Sequence, residues 1–305
     1  MKGIFLRLAV LLTSVLFLAW LGASAYFFYV AQVRSEKEFI NNQGLSSKSP
    51  LYSLEQAFDD LPKETRHITN QGLKQVAWYL PASQKSSKTA ILVHGFTNDK
   101  SDMKPYAKLF HDMGYNVLMP DNVAHGQSQG KIIGYGWKDK ENVIKWTESL
   151  VAEDSNQEIT LFGVSMGAAT VMMASGENLP KQVVNIIEDC GYTSVWDEVS
   201  YQAKSMYQLP EFPILYGVSA LSKLTAGFSY GEASAVNQLA KNHLPTLFIH
   251  GDQDDFVPLS MVYENFDASR GPKELYVVRG AKHAQSFAKD PQAYRQKIEA
   301  FLKKY

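Results

Sequence analysis

Hydrophobic and polar positions divide the chain into three stretches of different rhythm. Residues 8–30 carry no charged side chain in 23 positions. As a helix rising 1.5 Å per residue, that run is about 35 Å long, enough to cross a hydrocarbon core of roughly 30 Å. Residues 34–50 are polar, with Gly44, three serines and Pro50 among the last ten, and read as a linker or stalk. From residue 51 onward, short apolar runs alternate with amphipathic stretches, the pattern of βαβ units on a mainly parallel sheet. The apolar runs predict strands at 76–80, 90–93, 116–119, 159–162, 183–187, 246–249 and 274–278. Several are unbroken Val, Ile, Leu and Phe, as expected of strands covered on both faces. The amphipathic stretches predict helices at 103–113, 138–150, 166–175, 259–266 and 291–303. Between 192 and 242 the rhythm breaks. That interval is long for a crossover, contains Pro210 and Pro213, and is rich in aromatic residues, so it predicts a small helical cap over one end of the sheet.

Charge fixes the orientation of the first stretch. Lys2 and Arg7 precede the apolar run, and a short basic flank stays in the cytoplasm, which exports everything after residue 33. A second reading is a cleaved signal peptide, because Ala23-Ser24-Ala25 has the small-x-small pattern of a cleavage site. The apolar run exceeds a signal-peptide core and continues through Phe27, Phe28 and Tyr29, which favours an uncleaved anchor. Both readings export residues 34–305, and that part holds 28 basic and 31 acidic residues. A net charge near -3 suits a soluble domain and offers neither a nucleic acid nor a polybasic membrane contact its usual basic patch. Cys190 is the single cysteine, so no internal disulfide is expected.

The chemistry begins at Gly163-Val164-Ser165-Met166-Gly167, which spells G-x-S-x-G directly after the strand-like ITLF and before the helix-like AATVMMA. That context is what a nucleophile elbow requires: a serine on a sharp strand-to-helix turn, with glycines letting neighbouring backbone pass. A serine nucleophile needs a base to take its proton and a carboxylate to orient that base. Downstream, TLFI runs into His250-Gly251-Asp252-Gln253-Asp254-Asp255-Phe256-Val257-Pro258, and ELYVV runs into Arg279-Gly280-Ala281-Lys282-His283. Both loops leave the C-terminal end of a predicted strand, the edge where catalysts of open α/β sheets collect. His283 is the only histidine after the acid loop. The backbone N–H of Met166, next to the nucleophile, is one expected oxyanion donor. His67, His111 and His243 read as surface or packing residues. No histidine spacing suggests a metal, and nothing calls for a cofactor.

These motifs resemble the α/β-hydrolase superfamily over about residues 73–305, most nearly its bacterial membrane-anchored members related to serine aminopeptidases and cinnamoyl esterases. The matching residues are His94-Gly95-Phe96, Asp121 through Gly126 followed by Gln127 and Ser128, the GVSMG elbow, GDQDDFVP and GAKH. The resemblance implies an α/β-hydrolase fold with a mainly parallel central sheet, flanking helices and a small cap. It implies Asp254 as the acid, three residues after Gly251, rather than Asp255 or Asp252. Some lipases carry the acid after an earlier strand, which here would be Asp189. It further implies His283 as the base, the Phe96 N–H as second oxyanion donor, with the Phe96 side chain toward the acyl pocket, and a structural role for His125 and for Gly134-Tyr135-Gly136-Trp137. The expected protein is an anchor (1–33), a linker (34–50) and a hydrolase domain (51–305) acting on a small ester. Peptide or amide cleavage, acyl transfer to an alcohol, and a non-catalytic surface module are the alternatives.

Overall fold

In a computed structural model of the chain, residues 2–35 and 45–305 are described; residues 36–44, the middle of the expected linker, lie outside them. The chain opens with helix α1 (Lys2–Gln32), followed by α2 (Tyr52–Asp59) and a hairpin of β1 (Glu64–Asn70) and β2 (Leu73–Leu80). Strand β3 (Lys88–Val93), α3 (Lys104–Asp112), β4 (Asn116–Pro120), α4 (Asp139–Glu153), β5 (Glu158–Val164), α5 (Met166–Ser175) and β6 (Val183–Asp189) then alternate. Four helical segments separate β6 from β7 (Thr246–Gly251): α6 (Val195–Tyr207), a turn at Glu211–Leu215, α7 (Tyr216–Ala226) and α8 (Ala235–Leu239). The chain ends with α9 (Ser260–Ala268), β8 (Lys273–Val278), α10 (Ser286–Lys289) and α11 (Pro291–Lys304).

The strands form one sheet in the order β1-β2-β4-β3-β5-β6-β7-β8. β2 is antiparallel to β1 and β4, and the remaining pairs are parallel. Side chains alternate across a strand, and β3 shows what that does here. Ala90 and Leu92 join a core with Leu109 and Phe110 of α3 and Phe301 of α11. Ile91 and Val93 join the opposite core with Val143 and Trp146 of α4 and Val171 of α5. Both faces are therefore covered, which is why these strands read as unbroken apolar runs.

Strand β1 was not expected. Its sequence, ETRHITN, is polar because it is an edge strand with mostly exposed side chains, and its partner comes from the β2 register.

The N-terminal helix is long and apolar enough to cross a membrane, but it does not stand clear of the domain. Ser24, Phe28 and Gln32 are buried. The Trp20 Nε1–H donates to the Pro213 carbonyl at 2.8 Å. Gln32 Nε2 donates to the Ile133 carbonyl and Ser222 Oγ, each at 3.1 Å, while its Oε1 accepts from Tyr230 Oη. Arg34, the first residue of the expected linker, donates to the Gly126 and Ser128 carbonyls. The last third of the helix is thus an integral element of the fold.

Candidate active site

The loops leaving the C-terminal ends of β3, β5, β7 and β8 meet at one point. Ser165 sits between β5 and α5 with φ 57° and ψ −119°, a conformation that non-glycine residues rarely adopt. The turn is possible because its flanks are glycines. A Cβ on Gly163 would fall 2.1 Å from the Gly167 carbonyl oxygen, and one on Gly167 would fall 1.9 Å from that of Val93. The strained turn pushes Ser165 out of the sheet, toward the histidine loop.

His283 Nε2 lies 2.9 Å from Ser165 Oγ, and its Nδ1 lies 2.8 Å from Asp254 Oδ2. The three side chains come from separate loops and form one hydrogen-bonded row. Asp254 Oδ1 accepts from the backbone N–H groups of Phe256 and Val257, at 2.9 and 2.8 Å. Burial acts to raise the Asp254 pKa, but hydrogen bonds from His250 and His283 and the backbone outweigh it, and the carboxyl is held far below the usual carboxylate range. It is an anion at every pH where the protein would act.

Asp189, the alternative acid, faces away. It accepts from Ser286 Oγ and Tyr294 Oη, and burial lifts its pKa to about 6. Asp255 is exposed, and Asp252 accepts from the Gly280 N–H. Only Asp254 of these touches His283.

Gly95 packs against Ser165, since a Cβ placed on it would lie 3.4 Å from Ser165 Cβ. The backbone of Phe96 is thereby beside the nucleophile, opposite the N-terminus of α5, which begins at Met166. Two histidines shape this loop. His94 Nδ1–H donates to the Gly95 carbonyl at 2.8 Å, and its Nε2 accepts from the Asn122 N–H. His125 Nδ1–H donates to the Val123 carbonyl, so its Nε2 accepts from the Thr97 N–H. Burial lowers their pKa values to about 4 and about 3, which keeps both rings neutral and each tautomer fixed.

Three features went beyond the sequence reading. His250 Nε2 stands 3.4 Å from Asp254 Oδ2 while meeting the Val257 carbonyl at 2.9 Å, so the acid has two imidazole neighbours. Cys190 Sγ lies within 4.8 Å of ligand atoms of Asp254 and His283. Burial raises its pKa well above the usual thiol range, and both His283 nitrogens already have hydrogen-bond partners in Asp254 and Ser165. Tyr135 is more than a turn residue. Its ring stacks on Phe96 at 5.4 Å, its hydroxyl donates to the Ala31 carbonyl of α1, and its backbone carbonyl accepts from Tyr192 Oη.

Two cavities meet at Ser165. One, of about 110 Å³, is apolar and runs under the cap; Phe96, Met166, Tyr192, Leu215 and Val218 line its inner end. Among the described residues Glu198 is the one carboxyl in its wall, and burial raises its pKa to about 8. The other cavity is a larger cleft, of about 740 Å³, whose mixed lining includes Glu55, Thr97, Asn98, Asp99, Asp102 and Gln285.

An open, mainly parallel sheet of this order, with a serine on the β5–α5 elbow, defines a hydrolase of the α/β class. The chain belongs to the α/β-hydrolase superfamily. Within it, a family model described as serine aminopeptidase, S33, matches residues 84–208. The uncharacterised Bacillus subtilis protein YqkD is 31% identical over 249 residues, which are 81% of each chain. The Pyrococcus furiosus esterase Pf2001 has a similar solved structure, with a TM-score of 0.66 at 22% identity over 87% of this chain and 99% of that one. Est1E from Butyrivibrio proteoclasticus, solved with ferulic acid bound, has a TM-score of 0.61 at 18% identity over 78% and 98% of the two chains.

Proposed function

We propose that the protein is a membrane-anchored serine hydrolase that cleaves carboxylic esters outside the cytoplasm through an acyl-enzyme. The observation that carries this reading is the hydrogen-bonded row Ser165–His283–Asp254 on three separate loops. His283 takes the Ser165 proton as Oγ bonds to the ester carbonyl carbon. The same proton then goes to the leaving alcohol as the ester C–O bond breaks. Water, deprotonated by His283, releases the acid and restores the serine. Asp254 holds the Nδ1–H tautomer and balances the imidazolium charge. The N–H groups of Phe96 and Met166 receive the charge that develops on the carbonyl oxygen. Residues 1–33 act as anchor, residues 34–50 as the connection, and the insertion between β6 and β7 as a cap on residues 51–305.

The apolar cavity supports an ester with an apolar acyl group over a peptide. Its one carboxyl among the described residues, Glu198, is neutral at pH 7 and so presents no standing charge to a terminal ammonium. The S33 match keeps amide cleavage as the second reading. A panel of p-nitrophenyl esters beside aminoacyl anilides separates the two. Ester turnover that vanishes in Ser165→Ala, with anilides untouched, is the expected outcome. Faster anilide cleavage would replace esters with peptides.

A further inference from the structure

The anchor helix and the apolar cavity are parts of one device. The uncharged run starts at Leu8, and the helix is continuously exposed as far as Ala19, beyond which one face is buried and the other stays exposed. Those twelve residues span about 18 Å, well short of the roughly 30 Å of a hydrocarbon core. About eight further residues, from Trp20 to Phe27, must also lie in hydrocarbon, and one face of that stretch is docked on the cap. The Trp20 indole N–H bonds the Pro213 carbonyl. Ser24 packs so close to Gly217 that a Cβ there would meet its Oγ at 2.1 Å. The rings of Phe27 and Tyr207 meet edge-on at 5.3 Å.

These contacts set the depth of the cap. Phe212 and Tyr216, beside Pro213 and Gly217 and so level with Trp20 and Ser24, are 73% and 54% exposed. Large apolar side chains left open at that depth fit the outer-leaflet acyl chains that the helix itself needs. The cavity leads to the same place. Its inner end is at Ser165, and its outer end reaches the surface between Phe27 and Val30 of the anchor and Met206, Tyr207 and Pro210 of the cap. At about 110 Å³ it has room for roughly four groups of about 30 Å³ each, so it holds the first few carbons of an acyl chain whose remainder leaves through the mouth. On the other side of Ser165, the larger cleft receives what leaves, and Glu55, Asp99 and Asp102 in its lining oppose an anionic headgroup.

Resting on the reading of Ser165 as nucleophile and of α1 as anchor, we propose that the substrate is a bilayer-resident long-chain ester of a neutral hydroxylic group. Its acyl chain enters laterally from the outer leaflet between the anchor and the cap. The anchor is then a wall of the substrate site as well as a tether.

The test uses the full chain in phosphatidylcholine vesicles. The probes are 4-methylumbelliferyl palmitate in the bilayer and 4-methylumbelliferyl butyrate in the water. Val30→Trp and Met206→Trp fill the mouth from its two sides, and Met206 is exposed, so its substitution leaves the fold intact. Each variant is expected to lower the palmitate-to-butyrate rate ratio by about tenfold, the loss of roughly two buried methylenes. An unchanged ratio in both, while a fluorophosphonate still labels Ser165, would overturn lateral entry and leave the serine hydrolase reading standing. Wild-type protein that resists the fluorophosphonate would overturn both.

Discussion

Replacing Asp254 by Asn keeps the shape of the side chain and changes one hydrogen-bonding capacity. Oδ1 is fixed as an acceptor by two backbone donors, the N–H groups of Phe256 and Val257. An asparagine must therefore turn its oxygen toward them, because its NH₂ there would face two N–H groups at 2.8–2.9 Å. The NH₂ then points at His283 Nδ1, which can only accept. The proton moves to Nε2, which becomes a donor toward Ser165 Oγ and can no longer take its proton. The loss should approach the roughly 10⁴-fold drop in kcat seen when a triad Asp becomes Asn, about 5 kcal/mol of transition-state stabilisation. The assay is kcat on p-nitrophenyl butyrate, with folding checked by circular dichroism. Asp255→Asn, at an exposed neighbour, is the control and should change little. A loss under about tenfold for Asp254→Asn, or an equal loss for Asp255→Asn, would refute the reasoning.

Two further outcomes follow from the same structure. Glu198 is buried, and its pKa is raised from 4.5 to about 8, chiefly by desolvation. The folded state therefore holds its proton more tightly than the unfolded state, and stability present below pH 4.5 is lost as pH rises to about 8, at about 1.4 kcal/mol per unit. Glu198→Gln should remove a cost on the order of 5 kcal/mol at pH 9, so melting curves of variant and wild type should diverge from pH 5 to pH 9. A difference independent of pH would contradict the assignment. Gly167→Ala places a methyl group 1.9 Å from the Val93 carbonyl oxygen, and should lower stability by about 1–3 kcal/mol or more in urea unfolding; a neutral result would mean that the elbow is slack.

Much of the architecture was legible because the parallel strands must be apolar on both faces. Their runs and the helix 166–175 stand almost where the pattern put them. The candidate site was legible to the extent that it is local: the elbow motif is read within a few residues, and the choice of Asp254 rested on the resemblance of its loop to the family's. What escaped depends on distant partners. His250 looks like a strand-end residue until β7 and the acid loop fold together. The docked anchor escaped for a different reason, since Phe27, Phe28 and Val30 are equally apolar against lipid or protein. Gln32 and Trp20 were the residual signals. One is a polar side chain closing an apolar helix, fully buried here, and the other lies too deep for an interfacial belt and instead bonds the Pro213 carbonyl. The cap aromatics divide between two roles: Tyr192 and Tyr207 line the cavity, while Trp196 and Tyr216 pack on each other.

The central claim is that Ser165 is a nucleophile activated by His283. The most direct measurement is mass-spectrometric mapping of fluorophosphonate adducts on wild type, Ser165→Ala and His283→Ala. A single adduct on Ser165 in wild type, none in Ser165→Ala, and labelling slowed by orders of magnitude in His283→Ala are predicted. An adduct on another residue, or labelling of His283→Ala at the wild-type rate, would contradict it.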